Sequence, residues 1–512
     1  MVQLLTPDGV FLLSMLSILS SYCWPDALAA TSDGLTNDLA GKGFDVVFPT
    51  DERFVNVSQA FNRRYTPNPA AVAFPSTAQQ VSQIVKVGYE RGYNVVARSG
   101  GHSYAAHGLG IHPNAIVVDL SSIKTLSVDT DKNTAVIGAG NRLGEVVLGL
   151  NKYGRALPHG TCAYVGWGGH ATLGGYGFTS RMWGLSVDTV ESMEVVLANG
   201  TLVSTSEKWY PELFWALRGA APYLGIVVST TVRTFAVPPS ATIFSVSYPN
   251  LGISQATTAL LHYQRWSRRP DIPKAIGLQA VLTRGSESGK VGFGFSGGWY
   301  APVSSDGLDL NRTLKPLVDG IGVEPTRVNF DSGDYVHSAE NLAGGSLDTT
   351  QPGGRDTFYA KSLVIPEDEG LREGTVREFV TVFATQGFET PLGWWFIQLD
   401  LFGGRDSAIN DKRPEDTAFP HRRGLWGIQL YASTRENVPP YPEGGFEFLD
   451  DAVNAILKNS PRPRNFGAYA NYIDDRLGEG APDLYFKSNW KRILRVKEKY
   501  DPTGVFELPD GW

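Results

Sequence analysis

Between Ser76 and Tyr104 a helix, a strand and a glycine-rich turn follow one another without a gap, and that order limits what the first part of the chain can build. Val81, Ile84, Val85 and Gly88 fall on one helical face, Gly92 stops the run, and Ser76 with Gln79 forms a capping-box pattern at its start. The apolar strand Asn94-Val-Val-Ala-Arg98 comes next and empties into Ser99-Gly100-Gly101-His102-Ser103-Tyr104. A turn poor in Cβ atoms lets backbone N–H groups approach an anion, so the spacing predicts a cradle at the end of this strand.

The same grammar continues downstream. Strands are predicted at Ala115-Ile-Val-Val-Asp-Leu120 and Ala135-Val-Ile-Gly138, with a helix around Leu143 to Leu150. Glycines cluster again from Gly160 to Gly177, and Leu213-Phe-Trp-Ala-Leu-Arg-Gly219 leads through a turn into Gly225-Ile-Val-Val-Ser229. This first α+β domain is expected to close near Pro238. Beyond it, Ile243-Phe-Ser-Val-Ser247, Val291-Gly-Phe-Gly-Phe295 and Trp394 to Asp400 read as a second, antiparallel sheet forming the ceiling of a pocket, with helices around Ser254 to Trp266 and Gly370 to Gln386. A last helix, Asn489 to Tyr500, places Trp490, Ile493, Leu494 and Lys497 on one face and ends at Asp501-Pro502.

At 512 residues and 42% hydrophobic content the chain has enough material for two packed cores. The first 29 residues read as a secretory leader: an apolar stretch from Val10 to Leu19 precedes Ala27-Leu28-Ala29, although the start carries Asp8 and no Lys or Arg. Sequons at Asn56, Asn199 and Asn311 agree with a glycosylating route. No other segment is long and apolar enough to span a membrane, so no membrane association is expected. The formal charge of −7, without a basic cluster, makes nucleic acid an improbable partner. Cys23 lies in the leader, which leaves Cys162 as the single cysteine of a mature chain, either a buried inert thiol or one engaged in chemistry.

Several signatures fail. Gly138-Ala-Gly140 with Gly144 has one residue too many for a dinucleotide fingerprint. Gly294-Phe-Ser296-Gly-Gly298 matches a hydrolase elbow, but Trp299-Tyr-Ala-Pro302 follows where a helix is needed. The chain has no H-E-x-x-H, C-x-x-C or EF-hand loop, so no metal site is expected.

The segments that remain, Arg98-Ser-Gly-Gly-His-Ser-Tyr104, Gly160-Thr-Cys-Ala-Tyr-Val-Gly166 with Gly168-Gly-His170, and Leu217-Arg-Gly219, resemble the vanillyl-alcohol-oxidase superfamily and, within it, the berberine-bridge-enzyme-like proteins. Tyr469-Ala-Asn471-Tyr472-Ile-Asp474, with Asp501-Pro502 and Phe506, is similar to that family's terminal segment. In order and spacing the resemblance is nearest to the glucooligosaccharide and chitooligosaccharide oxidases. It implies an α+β fold: a leader at residues 1–29, a two-part FAD-binding domain of the PCMH type at 30–238, an antiparallel-sheet substrate domain with flanking helices at 239–464, and a berberine-bridge-like segment at 465–512 that returns to the FAD domain.

The resemblance implies FAD bound twice, through His102 at the 8α-methyl and Cys162 at C6; imidazole and thiolate are nucleophiles suited to an electron-poor flavin. Arg98, Ser99, Gly100, Gly101 and Ser103 would surround its pyrophosphate, and Gly169, Gly174 and Gly225 would permit close approach. Tyr472 aligns with the family's catalytic tyrosine and Asp400 with the carboxylate that assists it. Tyr104, Thr161, Tyr176, Gln398 and Gln429 match positions near a sugar, and Trp394 or Trp395 would stack on one of its faces. Ala163 and Trp167 depart from the family pattern. Trp167 is expected near the isoalloxazine, limiting oxygen access, whereas Val165 favours it.

The leading expectation is a secreted, monomeric oxidoreductase that converts the anomeric hydroxyl of an oligosaccharide to a lactone, with O2, giving hydrogen peroxide, or a quinone-like compound as electron acceptor. Competing readings are an oxidase of an alkaloid or phenolic on the same fold, and a flavin-free carbohydrate-binding protein.

Overall fold

The computed structural model describes residues 32–110, 113–301, 310–460 and 465–508. The leader expected at residues 1–29, with Cys23, lies outside them. None of the described helices is long and apolar enough to cross a membrane.

The opening motif folds as its pattern requires. Helix Ala78–Arg91 buries Val81, Ile84, Val85, Val87 and Gly88, and Gly92 ends it at φ 70°. Its cap sits one residue later than expected: Thr77 accepts from the Gln80 N–H, while the Gln80 side chain turns back to the Ser76 N–H. Strand Asn94–Arg98 pairs in parallel with Ala115–Asp119, which pairs with Ala71–Phe74 in a four-stranded sheet completed by the antiparallel strand Asp45–Val47. A separate five-stranded antiparallel sheet follows, with Ile226–Arg233 at its centre.

The second part is one seven-stranded antiparallel sheet, its strands ordered Arg327–Gly333, Ala241–Gly252, Lys290–Trp299, Ile276–Arg284, Trp394–Leu401, Gly424–Ser433, Phe358–Pro366. One face packs under helices Ile253–Ser267, Glu373–Ala384 and Glu443–Lys458 in the largest core of the molecule. The Gly294–Gly298 segment lies inside strand Lys290–Trp299, so no strand-to-helix elbow exists there.

The terminal segment returns to the first part. Phe486, Ile493, Val496 and Leu508 join the core around the five-stranded sheet, and the Val95 N–H donates to the Val505 carbonyl at 2.8 Å. Helix Trp490–Tyr500 buries Ile493 and Val496. Leu494, placed on the packed face by the periodicity reading, is instead 40% exposed, because the buried stripe runs through Val496 rather than Lys497.

Candidate functional site

The parallel pairing of Arg98 with Asp119 delivers the Ser99–Ser103 turn at the carboxyl end of its strand. Arg98 braces that turn, its guanidinium pairing with Asp119 and donating to the Val57 carbonyl at 2.5 Å. The Ser99 hydroxyl donates to the Ala139 carbonyl at 2.5 Å and accepts from the Gly168 N–H at 3.1 Å, which ties the first glycine turn to the second. Among the described residues, the N–H groups of Ser99, Gly100, Gly101 and Ser103 find no protein acceptor. These donors lie on the turn where an anion cradle is expected from the sequence.

Next to the cradle the Cys162 sulfur stands 3.9 Å from His102 Nε2. Burial, with the nearby Arg142 guanidinium, lowers the imidazole to about 4, so it is neutral at physiological pH. Phe61 stacks on the imidazole at 3.7 Å between ring centroids, 25° from parallel. The Cys162 thiol is exposed; the surrounding protein raises it above its ordinary value, against the Tyr164 and Val165 N–H groups that lower it.

The seven-stranded sheet supplies a polar row. Asn329, Ser245, Ser296, Gln279 and Asp400 are successive cross-strand partners on five neighbouring strands, and all five line one cavity of about 270 Å³. Because side chains alternate along a strand, their neighbours Val246, Phe295, Ala280 and Leu399 point into the helix-covered core. Gln279 donates to Ser296 at 3.0 Å. Thr161, Tyr176, Gln398 and Tyr472 complete this wall and its opposite side.

Asp400 is 3% exposed, and burial alone raises its carboxyl to about 8. Tyr472 is held well above the ordinary phenol value by burial first and by the Asp400 charge second. Its ring lies parallel to Tyr104 at 5.9 Å and edge-on to Tyr469 at 4.9 Å. Tyr176 is buried against Phe402, with its hydroxyl toward the Leu401 carbonyl. Gln398 pairs across the sheet with Gln429, whose amide donates to the Tyr104 hydroxyl at 2.8 Å and so links sheet and glycine turn.

The two tryptophans separate by strand parity. Trp394 shares a face with Phe396, Gln398 and Asp400, is 43% exposed, and stacks on Phe396 and Tyr431. Trp395 is no platform: it is 2% exposed in the core beside Phe383 and Phe448, its indole N–H donating to the Gly387 carbonyl. Trp167 is also corrected. It is fully buried in the core of the first part and donates to the Thr230 hydroxyl at 2.9 Å, so it presents no bulk at the surface.

The glycines differ in what they face. No protein atom lies within 4 Å of where a Cβ on Gly169 would stand. A Cβ on Gly174, at φ +132°, would meet the Tyr469 ring at 2.8 Å, and one on Gly225 would meet Val195 at 2.7 Å. Sequence reading missed Ser245, Gln279, Ser296 and Asn329, and also the segment around Asn62. That asparagine is fully buried and bridges the two parts, donating to the carbonyls of Tyr104 and Phe358 at 2.8 and 3.0 Å. Its only sequence signal was a lone amide in an unassigned stretch.

Comparison with known proteins agrees with this geometry. Residues 69–206 match the FAD binding domain model, and residues 468–511 match the berberine and berberine-like model. The chitooligosaccharide oxidase of Gibberella zeae is 34% identical over 456 residues, 88% of each chain. The chain belongs to the berberine-bridge-like family of FAD-dependent carbohydrate oxidases. It is an FAD-dependent oxidoreductase acting on CH–OH donors. Among solved members, the xylooligosaccharide oxidase of Myceliophthora thermophila in complex with xylobiose superposes with a TM-score of 0.85 at 30% identity, covering 93% of this chain and 98% of that one. A glucooligosaccharide oxidase from Acremonium strictum, described for its 6-S-cysteinyl, 8α-N1-histidyl FAD, gives 0.84 at 31% identity, covering 92% and 97%. The matched FAD-binding span contains both the cradle and Cys162, and the terminal span contains Tyr472. The residues present fit FAD: an N–H cradle for a pyrophosphate, a neutral imidazole and a lone thiol side by side.

Proposed function

We propose that this protein is an oligosaccharide oxidase that oxidises the anomeric C1 hydroxyl of a sugar chain to a lactone, with FAD held by both His102 and Cys162. The observation that carries the reading is the cavity that brings the polar row Ser245, Ser296, Gln279 and Asp400 together with Tyr472 and with Thr161, the residue next to Cys162. Amides, hydroxyls and a carboxyl on a flat sheet suit a ring bearing many hydroxyls, and they argue against an apolar alkaloid.

FAD, when bound, supplies the two-electron acceptor for the C1 hydride. The chain must remove the hydroxyl proton. Tyr472 is a poor base by itself, since burial and the Asp400 charge both keep its phenol protonated. Asp400, with its carboxyl at about 8, is strongly basic once ionised, so Tyr472 passes the proton on and the ionised fraction of Asp400, which grows as pH rises through about 8, receives it. Gln398, Gln429, Thr161 and Tyr176 orient ring hydroxyls, and Trp394 extends the surface for a further sugar unit.

The proposal extends to a secreted monomer, freed of residues 1–29, that passes electrons to O2 with release of hydrogen peroxide or to a quinone-like acceptor. The test incubates purified protein with cello-, malto-, xylo- and chitooligosaccharides, following peroxide, dye reduction and aldonic acid. No turnover on any of them removes the reading. Acid precipitation that leaves the flavin in the supernatant removes the covalent part alone.

A further inference from the structure

Strand Phe358–Pro366 is the last of the seven-stranded sheet, and the segment carrying Tyr472 docks along its outer edge. Val364 and Gly467 exchange backbone hydrogen bonds at 2.8 and 3.1 Å, and the Tyr469 N–H donates to the Ser362 hydroxyl at 2.9 Å. There the pairing ends. The chain turns through Ala470–Tyr472, where the Tyr472 N–H returns only to Tyr469, so ladder bonds alone leave the position of Tyr472 along the edge weakly specified.

A second anchor follows two residues later. Asp474, 3% exposed, receives the Lys361 ammonium at 2.8 Å and the Tyr359 hydroxyl at 2.8 Å. Lys361, 7% exposed and on the strand face opposite Ser362, directs its other donors to Tyr359 at 2.9 Å and to Asp450 of helix Glu443–Lys458 at 2.7 Å. The next carboxylate, Asp475, is held by two Arg64 nitrogens at 2.6 and 3.0 Å. Consecutive carboxylates are thereby tied to the substrate sheet and to the first part of the chain.

We propose that Lys361 is a positioning residue for Tyr472: through Asp474 its ammonium sets where the phenol stands against the polar row of the cavity. The inference rests on the reading of Tyr472 as proton carrier. A buried ion pair is weak evidence for stability, since an apolar pair of the same volume often serves as well; what this cluster adds is directed geometry next to the reacting group.

The test measures kcat per bound flavin and KM in the holoenzyme for Lys361→Met, Lys361→Arg and the double variant K361M/D474N, which removes both charges of the buried Lys361–Asp474 pair and leaves only the part-exposed Asp450, beside Arg476. Positioning predicts that kcat falls about tenfold or more in Lys361→Met and in the double variant, with KM within about twofold of the parent, and that Lys361→Arg recovers most of the loss. A purely structural role lowers the yield of folded, flavin-bearing protein and leaves kcat per flavin at the parent value, which overturns the proposal. Tyr472→Phe is run beside them. If it retains the parent kcat, the reading of Tyr472 itself is lost, an outcome distinct from failure of the Lys361 variants alone.

Discussion

Gly100 and Gly166 occupy each other's side-chain space: a Cβ on Gly100 would stand 2.4 Å from the Gly166 nitrogen, and one on Gly166 would stand 2.0 Å from the Gly100 nitrogen. The obstacle is backbone on both sides, so no rotamer change relieves it. Gly100→Ala or Gly166→Ala must push the His102 turn and the Cys162 loop apart. Each is expected to cost about 1–3 kcal/mol of stability and to lower the covalently held flavin. Thermal unfolding and acid-precipitable flavin measure the two effects, and a variant with the parent value of both contradicts the argument.

Asp400 makes stability depend on pH. Its folded-state value, about 8, lies above the ordinary carboxylate value of 3.8, so the folded protein holds this proton more tightly than the unfolded chain. The contribution is full below about 4 and is lost as pH rises towards 8. Asp400→Asn cannot ionise. Its Tm is expected to exceed that of the parent at pH 8 and to approach it at pH 4, while turnover falls steeply because the proton has no acceptor. Parallel Tm-against-pH curves for the two proteins would contradict this.

What the sequence disclosed follows from which residues face water. Helix Ala78–Arg91 and the turn after Arg98 were legible because an apolar stripe, a stop glycine and a glycine pair leave local marks. Strands Phe358–Pro366 and Gly424–Ser433 were not, since every residue in both is buried and the alternation that betrays a strand is absent. The polar row was hidden for a different reason. Ser245, Gln279, Ser296 and Asn329 are neighbours across strands, and that relation depends on register, which no local pattern encodes. His102, Cys162, Asp400 and Tyr472 were singled out through family motifs, whereas Lys361 and Asn62 belong to none.

Trp394 and Trp395 show the same limit at the scale of one residue, and substitution separates them. Strand parity sends one ring to the cavity face and the other to the core, and nothing in the pair itself tells which. Trp395→Ala removes a buried, hydrogen-bonded indole and is expected to cost about 3–5 kcal/mol, read as a large fall in Tm. Trp394→Ala should leave Tm nearly unchanged. Loss of an exposed stacking surface worth about 1 kcal/mol should raise KM about fivefold for oligosaccharides long enough to reach it, with kcat preserved. Equal effects of the two substitutions on Tm would show that the parity is misassigned.

Phe61 bears on the proposed attachment of FAD through His102. The torsion that turns a histidine ring about its Cβ–Cγ bond is broad, so an isolated imidazole samples many planes. Its nucleophilic lone pair lies in the ring plane, and only some of those planes aim it at a given carbon. The Phe61 ring, 3.7 Å from His102 and 25° from parallel, selects among them. Phe61→Ala is therefore expected to lower the fraction of flavin joined to His102 while the Cys162 linkage persists, and Phe61→Tyr, which keeps a planar ring, should restore it. The mass of the flavin-bearing peptides reports both linkages in the same sample, and the retained Cys162 adduct certifies that the variant is folded. An unchanged His102 adduct in Phe61→Ala would mean that the ring plane is set by something other than the stack.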